Sequence, residues 1–134
     1  MAETIEIKTS KRIEFIDITE RLNALIRPSG IKDGICFIHV PHTTAAVTIN
    51  ENADPDVTND IISAINKLVP VSDNYAHAEG NSDAHIKASL FGQTLNLMIE
   101  SSKFLLGVWQ GVYFCELDGP RTRKVNVKFY NNKE

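Results

Sequence analysis

Apolar and polar residues along the chain fall into two rhythms, one of period two and one near 3.6, and their succession predicts the elements. "TIEIK" at 4–8 and "KRIEF" at 11–15 alternate on either side of Thr9-Ser10, which predicts a β-hairpin. Asp17, followed three residues later by Glu20, matches a capping box, and Leu22, Leu25 and Ile26 supply the apolar stripe of a helix that Pro28-Ser29-Gly30 ends. "ICFIHV" at 35–40 and "AAVTIN" at 45–50 read as neighbouring strands joined by the turn Pro41-His42-Thr43-Thr44. A second helix opens at Asp54-Pro55, where Asp caps and Pro suits the first helical position. Val57, Ile61, Ile65 and Leu68 recur at helical spacing, so this helix is expected to pack on a sheet until Pro70 stops it.

Residues 71–81 lack a period and read as a loop; Ser82 then caps a third helix that runs through Phe91 to a stop at Gly92. "TLNLMIE" at 94–100 alternates again, and Ser101-Ser102-Lys103 makes a turn. "FLLGVWQGVYFCEL" at 104–117 is apolar on both faces, the mark of a strand buried on both sides, with Gly107 and Gly111 as bends or bulges. Asp118-Gly119-Pro120 turns the chain into the alternating "RTRKVNVKFY" at 121–130. Strands outnumber helices and several are joined by short turns. The fold class is therefore α+β, a mainly antiparallel sheet with helices packed on one face. The second face of the Trp109 strand needs a cover, either from the sheet curling over itself or from another subunit.

Composition narrows the functional classes. With 134 residues and neither repeat nor linker, residues 1–134 form one domain. A net charge of −3 argues against a nucleic-acid surface, and the basic "RTRK" at 121–124 is too short for a duplex footprint. The N-terminal segment alternates and has no continuous apolar core, and no long apolar run follows, so neither a leader nor a membrane span is expected. Cys36 and Cys115 stand alone in apolar segments, which fits two buried thiols in a cytoplasmic protein.

Chemistry concentrates in "HAEGNSDAHIKASLFG" at 77–92. His77 and His85 are not an i, i+4 pair, yet a loop returning to its own helix can bring them together, and His42 offers a third imidazole. Three imidazoles around an open position is a catalytic zinc geometry, with Asp83 or Glu79 to orient a ring or handle a proton. An anion site is the competing idea. Gly80-Asn81-Ser82 precedes a helix whose free N–H groups favour negative charge, and Arg121 and Arg123 share one strand face and can clamp a phosphate. Plain surface polarity accounts for the same residues with no ligand at all. Thr43 and Thr44 either position a ligand or shape their turn. Capping explains Asp54 but leaves Glu51 and Asn52 unexplained. His39 shares a face with Ile35 and Phe37 and is expected to be structural. A GxSxG elbow is missing and neither cysteine has an activating neighbour, which disfavours serine or thiol catalysis.

"PHTTAAVTINENADPDV", "HAEGNSDAHIKASLFG" and "GVWQGVYFCELDGPRTRKV" resemble, in that order and over almost the whole chain, the YjbQ family. The resemblance implies an α+β fold with a curved antiparallel sheet, a YjbQ-like half-barrel, assembled as a homotrimer. It also implies a weak thiamine-phosphate synthase activity, which joins a pyrimidine methyl diphosphate to a thiazole phosphate and expels pyrophosphate. That chemistry needs a small phosphorylated metabolite as partner and usually a divalent metal ion, zinc or magnesium. A non-catalytic trimer that binds such a metabolite or a metal is the alternative. Carried over, the site comprises His42, Glu51 and Asn52, His77 and Glu79, and Asn81, Asp83 and His85, with Trp109, Gln110 and Asp118 through Arg121 also matching, beside the substrate-binding candidates Thr43, Thr44 and Ser82 read from the residues themselves. Asp83, His85 and Glu79 would be catalytic, and His42, His77 and His85 the metal ligands. Relatives often carry basic side chains around His77, where this chain has Ala76 and Ala78.

Overall fold

A computed structural model describes residues 2–132. In chain order the elements are β1 (Glu3–Lys8), β2 (Glu14–Asp17), α1 (Thr19–Ser29), β3 (Gly34–His39), β4 (Ala45–Glu51) and α2 (Pro55–Leu68), then α3 (Ser82–Phe91), β5 (Thr94–Glu100), β6 (Lys103–Phe104), β7 (Gln110–Glu116) and β8 (Thr122–Asn131). Every strand pairing is antiparallel. Five strands form one layer in the order β1-β8-β3-β5-β6, and three form a second in the order β2-β7-β4. Together they make the curled half-barrel of an α+β fold.

The alternation of the strands decides where the core sits. Ile5, Ile7, Cys36, Ile38, Leu97, Ile99, Val125 and Val127 point inward from the five-stranded layer and meet Ala45, Val47, Val112 and Phe114 from the three-stranded one. Leu22 and Ile26 of α1 close this cluster. The opposite face of the three-stranded layer presents Ala46, Tyr113, Cys115 and Leu117 to Ala84 and Ala88 of α3. Two alanines on the helix and one on the strand let the backbones approach closely. β7 is thus buried on both faces from Gly111 to Glu116, as its unbroken apolar run predicts. The cover is α3 and the curl of the sheet itself.

Several local expectations are corrected. β1 and β2 do not form a hairpin: β1 pairs with β8 and β2 with β7. Residues 9–13 instead carry the chain between layers, held by Thr9 N–H to the Arg121 carbonyl and Gly119 N–H to the Arg12 carbonyl, both at 2.9 Å. Likewise β3 and β4 lie in different layers, and the Pro41–Thr44 segment is the crossover. α1 begins one residue later than a capping box requires. Asp17 takes the Thr19 N–H at 2.9 Å, while Glu20 turns to Asn23. The helix ends at Gly30, whose φ of 72° is the left-handed region glycine tolerates.

α2 forms where predicted, with Asp54 accepting the Asp56 N–H at 2.9 Å and Pro55 in the first turn. It does not bury a face on the sheet, however: none of its residues is buried, and Leu68 is 74% exposed. The 104–117 run is not one strand. It breaks after Phe104 into a loop fastened by Gly107 N–H to the Gln110 side chain at 2.8 Å, and Val108 and Trp109 there are 88% and 61% exposed. No helix of the described residues is long and apolar enough to cross a membrane.

Candidate functional site

Three separated segments converge on one cavity of about 380 Å³. The β3–β4 crossover supplies His42, Thr43 and Thr44. The loop before α3 supplies Glu79 and Asn81, the first turn of α3 supplies His85, and the start of β8 supplies Arg121 and Arg123. Antiparallel pairing explains the convergence. Ala45 lies opposite Glu116, so the chain entering β4 and the chain leaving β7 toward β8 meet at one end of the three-stranded layer.

Beneath the cavity lies a buried ion pair that sets its floor. Arg123 Nε donates to both oxygens of Glu116 at 2.9 and 3.1 Å, and its Nη2 donates to the Thr44 hydroxyl at 2.9 Å. Glu116 also accepts from Thr9 Oγ1 at 2.7 Å and from the Leu117 N–H at 3.0 Å. Burial opposes ionisation of Glu116, but Arg123 and the other donors outweigh it and hold the carboxyl below its usual range. Thr44 therefore shapes the wall, its hydroxyl already engaged. Arg121 is the available cation. It is half-exposed, and Asp118 engages only its Nε and Nη2, at 2.8 and 2.9 Å.

His42 faces this charge with a defined tautomer. Its Nε2 accepts the Lys124 backbone N–H at 2.9 Å, so the neutral ring carries its proton on Nδ1. Burial and the nearby Arg123 push its pKa below the ordinary histidine value. A ring whose lone pair is spent on a backbone N–H is a hydrogen-bond donor rather than a metal ligand. The expectation that His42, His77 and His85 hold a divalent ion finds no such arrangement in one chain. Among the described residues no three His, Cys, Asp or Glu side chains stand together as metal ligands. The donor set, with two arginines on the cavity wall, suits an anion.

The loop does return to its helix. The rings of His77 and His85 meet edge to face with centroids 5.4 Å apart, and His77 Nε2 lies 3.9 Å from Glu79 Oε2. Both histidines line a second cavity of about 310 Å³ with Tyr75, Ala76, Ser82 and Ile86, and His85 borders both cavities. Asn81, not Ser82, occupies the cap position of α3. Asn81 donates its amide to Asp118 at 3.0 Å, while Asn81 Oδ1 and Ser82 Oγ are buried without partners among the described residues.

Asp83 departs from its expected role. It is fully buried beside neither cavity: Arg12 grips both its oxygens at 2.9 and 3.2 Å, and Lys87 Nζ sits 2.7 Å away. Burial favours its neutral form, but the bonds from Arg12 and Lys87 prevail and lower its pKa. A carboxylate this fully engaged fastens α3 to the segment before β2 and, through Lys87 to Asn66 at 2.8 Å, to α2. Sequence reasoning missed Arg12, Lys87 and Glu116 because nothing local distinguishes a residue that pairs 71 positions away from a solvated charge. Tyr75 and Ile86 were missed because the second cavity exists only once the loop folds back.

Glu51, Asn52, Trp109 and Gln110 gather at the other end of β4 and β7, where Glu51 opposes Gln110. Asn52 Nδ2 bonds Asp17 at 3.1 Å, and Tyr113 Oη donates to the Glu51 carbonyl at 3.1 Å. Six strand steps of roughly 3.3 Å place this group about 20 Å from the cavity in the same chain. His39, expected to be structural, faces Asn126 on the outer side of the sheet.

A family model described as UPF0047 protein YjbQ-like matches residues 3–132. The UPF0047 protein MJ1081 of Methanocaldococcus jannaschii is 53% identical over 128 residues, covering 96% of this chain and 93% of that protein. YugU of Bacillus subtilis is 46% identical, covering 96% and 98%. An uncharacterized conserved protein of the YjbQ/UPF0047 family from Clostridium acetobutylicum superposes with a TM-score of 0.94 at 52% identity, over 96% of this chain and 99% of that one. A YbjQ-like protein of unknown function from Sulfolobus solfataricus reaches the same TM-score at 32% identity, over 98% and 97%. The chain belongs to the YjbQ-like UPF0047 family.

Proposed function

We propose that this protein binds a small phosphorylated metabolite in the cavity bordered by His42, His85 and Arg121. The observation that carries the reading is the convergence there of hydrogen-bond donors from three separate segments, with Arg121 incompletely engaged. Each donor has a role in an anion site. Arg121 supplies the forked positive charge, His42 an Nδ1–H, Thr43 a hydroxyl and Asn81 its place at the positive end of the α3 dipole. Arg123, neutralised by Glu116, holds the floor rather than the ligand.

The enzymatic form of the proposal is the weak thiamine-phosphate synthase activity that family resemblance suggests. In it the same donors take the charge that develops on the departing pyrophosphate, and His85 or Glu79 moves the proton. Were a divalent ion to accompany the ligand, Glu79 is the carboxylate on the cavity wall that would face it, and the ion would help neutralise the phosphate charge. The alternative is a non-catalytic binder. One observation favours it: with Asp83 engaged by Arg12 and Lys87, no carboxylate among the described residues is paired with His85 for acid–base work. The proposal extends to a homotrimer in the cytoplasm. Support for self-association is the uncovered apolar side of α2 and the exposed Trp109 loop. In such an assembly Glu51, Asn52, Trp109 and Gln110 reach a cavity only in a neighbouring subunit.

Calorimetric titration with inorganic phosphate and with pyrophosphate tests the binding step. Saturable binding of one anion per chain, weakened in Arg121→Gln, is the expected result; heats indistinguishable from dilution overturn it. Turnover of the two phosphorylated substrates, lost in His85→Ala with pyrophosphate binding retained, separates enzyme from binder.

A further inference from the structure

We infer that the outer face of the five-stranded layer is a self-association surface, on which a second copy of this chain packs sheet against sheet about a two-fold axis. The surface is separate from the anion cavity. It is also separate from α2 and the Trp109 loop, which serve the three-fold assembly proposed above.

Strand register builds an apolar row across this face. Ile35 on β3 stands opposite Tyr130 on β8 and Met98 on β5, and Leu105 donates its N–H to the Met98 carbonyl at 2.9 Å. Cys36, Leu97 and Ile99, one step away along the same strands, face the core. Phe37 stands beside the row on the same outer face. Tyr130 and Met98 are 65% and 63% exposed, and a shallow cavity of about 400 Å³ lies between them and Leu105. The five side chains expose roughly 500 Å² of apolar surface, toward the upper end of the range for the largest patch on a monomer. With the polar residues around them, the face is on the order of the 800 Å² per partner that a stable interface buries.

Charge selects the occupant and the way it lies. On one side of the apolar row Asp33 and Glu100 outweigh Lys103; on the other stands Lys128, in register with Phe37. Among the described residues none of Asp33, Glu100 and Lys128 is in an ion pair. A two-fold axis running along the row reverses the strand direction of the second copy. It lays Ile35 on Ile35 and Met98 on Met98, and it sets the acidic side of each copy over the Lys128 side of the other. The strands of the two layers then stay aligned, as in a sandwich of sheets. An axis running along the strands would instead stack Asp33 on its own copy or on Glu100, acid against acid. The face is thus complementary to itself in one arrangement and repulsive in the other.

Sedimentation velocity over a range of protein concentrations tests the inference, with thermal unfolding to confirm that each variant is folded. The mass of the smallest unit, monomer or trimer, should double as concentration rises. Met98→Lys places a charge on the row and should weaken the doubling at least about tenfold while leaving pyrophosphate binding unchanged. Lys128→Asp should weaken it as well, and Asp33→Lys combined with Lys128→Asp, which exchanges the two charges, should restore it. A mass that stays constant with concentration, or a doubling that Met98→Lys leaves intact, overturns the surface. Constant mass together with binding of anilinonaphthalene sulfonate that Met98→Lys abolishes overturns self-pairing and gives the face to another apolar partner. Doubling that survives Lys128→Asp, or that the exchanged pair fails to recover, overturns the two-fold axis along the row.

Discussion

Replacing Asp83 by alanine should unfold the protein more easily rather than disable a catalytic step. Lys87 Nζ lies 2.7 Å from the carboxylate with both side chains fully buried. At an effective dielectric near 20 that separation corresponds to an attraction of about 6 kcal/mol, much of it offset by the desolvation of both ions. Removing the acid leaves a buried ammonium with Asn66 Oδ1, at 2.8 Å, as its remaining partner. Breaking one side of such a pair typically costs about 3–5 kcal/mol. Arg12 is a third exposed, and its share is screened to at most about 1 kcal/mol. The expected loss for Asp83→Ala is therefore about 3–5 kcal/mol at pH 7, read from urea unfolding. Because the bonds from Arg12 and Lys87 outweigh the opposing effect of burial and lower the folded pKa of Asp83, its contribution is complete above the unfolded value of 3.8 and fades as pH falls through the folded one. The variant should lose that acid-side dependence. Asp83→Leu with Lys87→Met, which removes both charges, should recover most of the stability. A loss below about 1 kcal/mol in the single variant, with ligand binding abolished, would refute the structural assignment and restore Asp83 to the active site.

Glu116→Gln strips Arg123 of its counter-charge; thermal unfolding should show a loss of about 2–4 kcal/mol, and the wild-type stability that this carboxylate contributes above pH 4.5 should disappear with further acidification only in the parent. Gly111→Ala places a Cβ within 2.4–2.9 Å of the Asn52 side chain, which Asp17 holds, so a cost of about 1–3 kcal/mol is expected by calorimetry. Asp54→Ala removes the cap of α2, and circular dichroism should report about 1 kcal/mol less stability. In proton NMR the His42 ring should titrate with a midpoint below 6.5, whereas a midpoint above that value would contradict its neutral, donor tautomer.

How far the sequence reaches depends on the range of the forces involved. Several local signals are read correctly. Asp54-Pro55 starts α2, Gly30 ends α1, and the alternation of residues 94–100 gives β5. The Ser101-Ser102 turn follows it with φ of 52° and 61°. Strand partners are set by long-range burial, which explains the two failed neighbour assignments. Residues 4–8 and 11–15 each satisfy a hairpin, but pairing them would forgo the contacts Ile5 and Ile7 make opposite Val125 and Arg123. The unburied α2 stripe shows the converse limit, since a helical period states that a face is apolar without stating what covers it. Within the site, His42, Glu79, Asn81, His85 and Arg121 do meet as the motifs imply. Glu51, Asn52, Trp109 and Gln110 do not, because each of the two motifs containing them spans the length of a strand. The partners of Asp83 are not legible, because a carboxylate beside a histidine in a motif looks the same whether it faces a ligand or a buried lysine.

The most direct test of the account follows the imidazole resonances of His42 and His85 during titration with pyrophosphate, in the wild type and in Arg121→Gln. Both rings should shift together along one saturating curve, and the substitution should weaken that curve by at least about tenfold, the loss of one charge-assisted contact. Rings that stay still at saturating pyrophosphate, or a curve that Arg121→Gln leaves unmoved, would contradict an anion site between them.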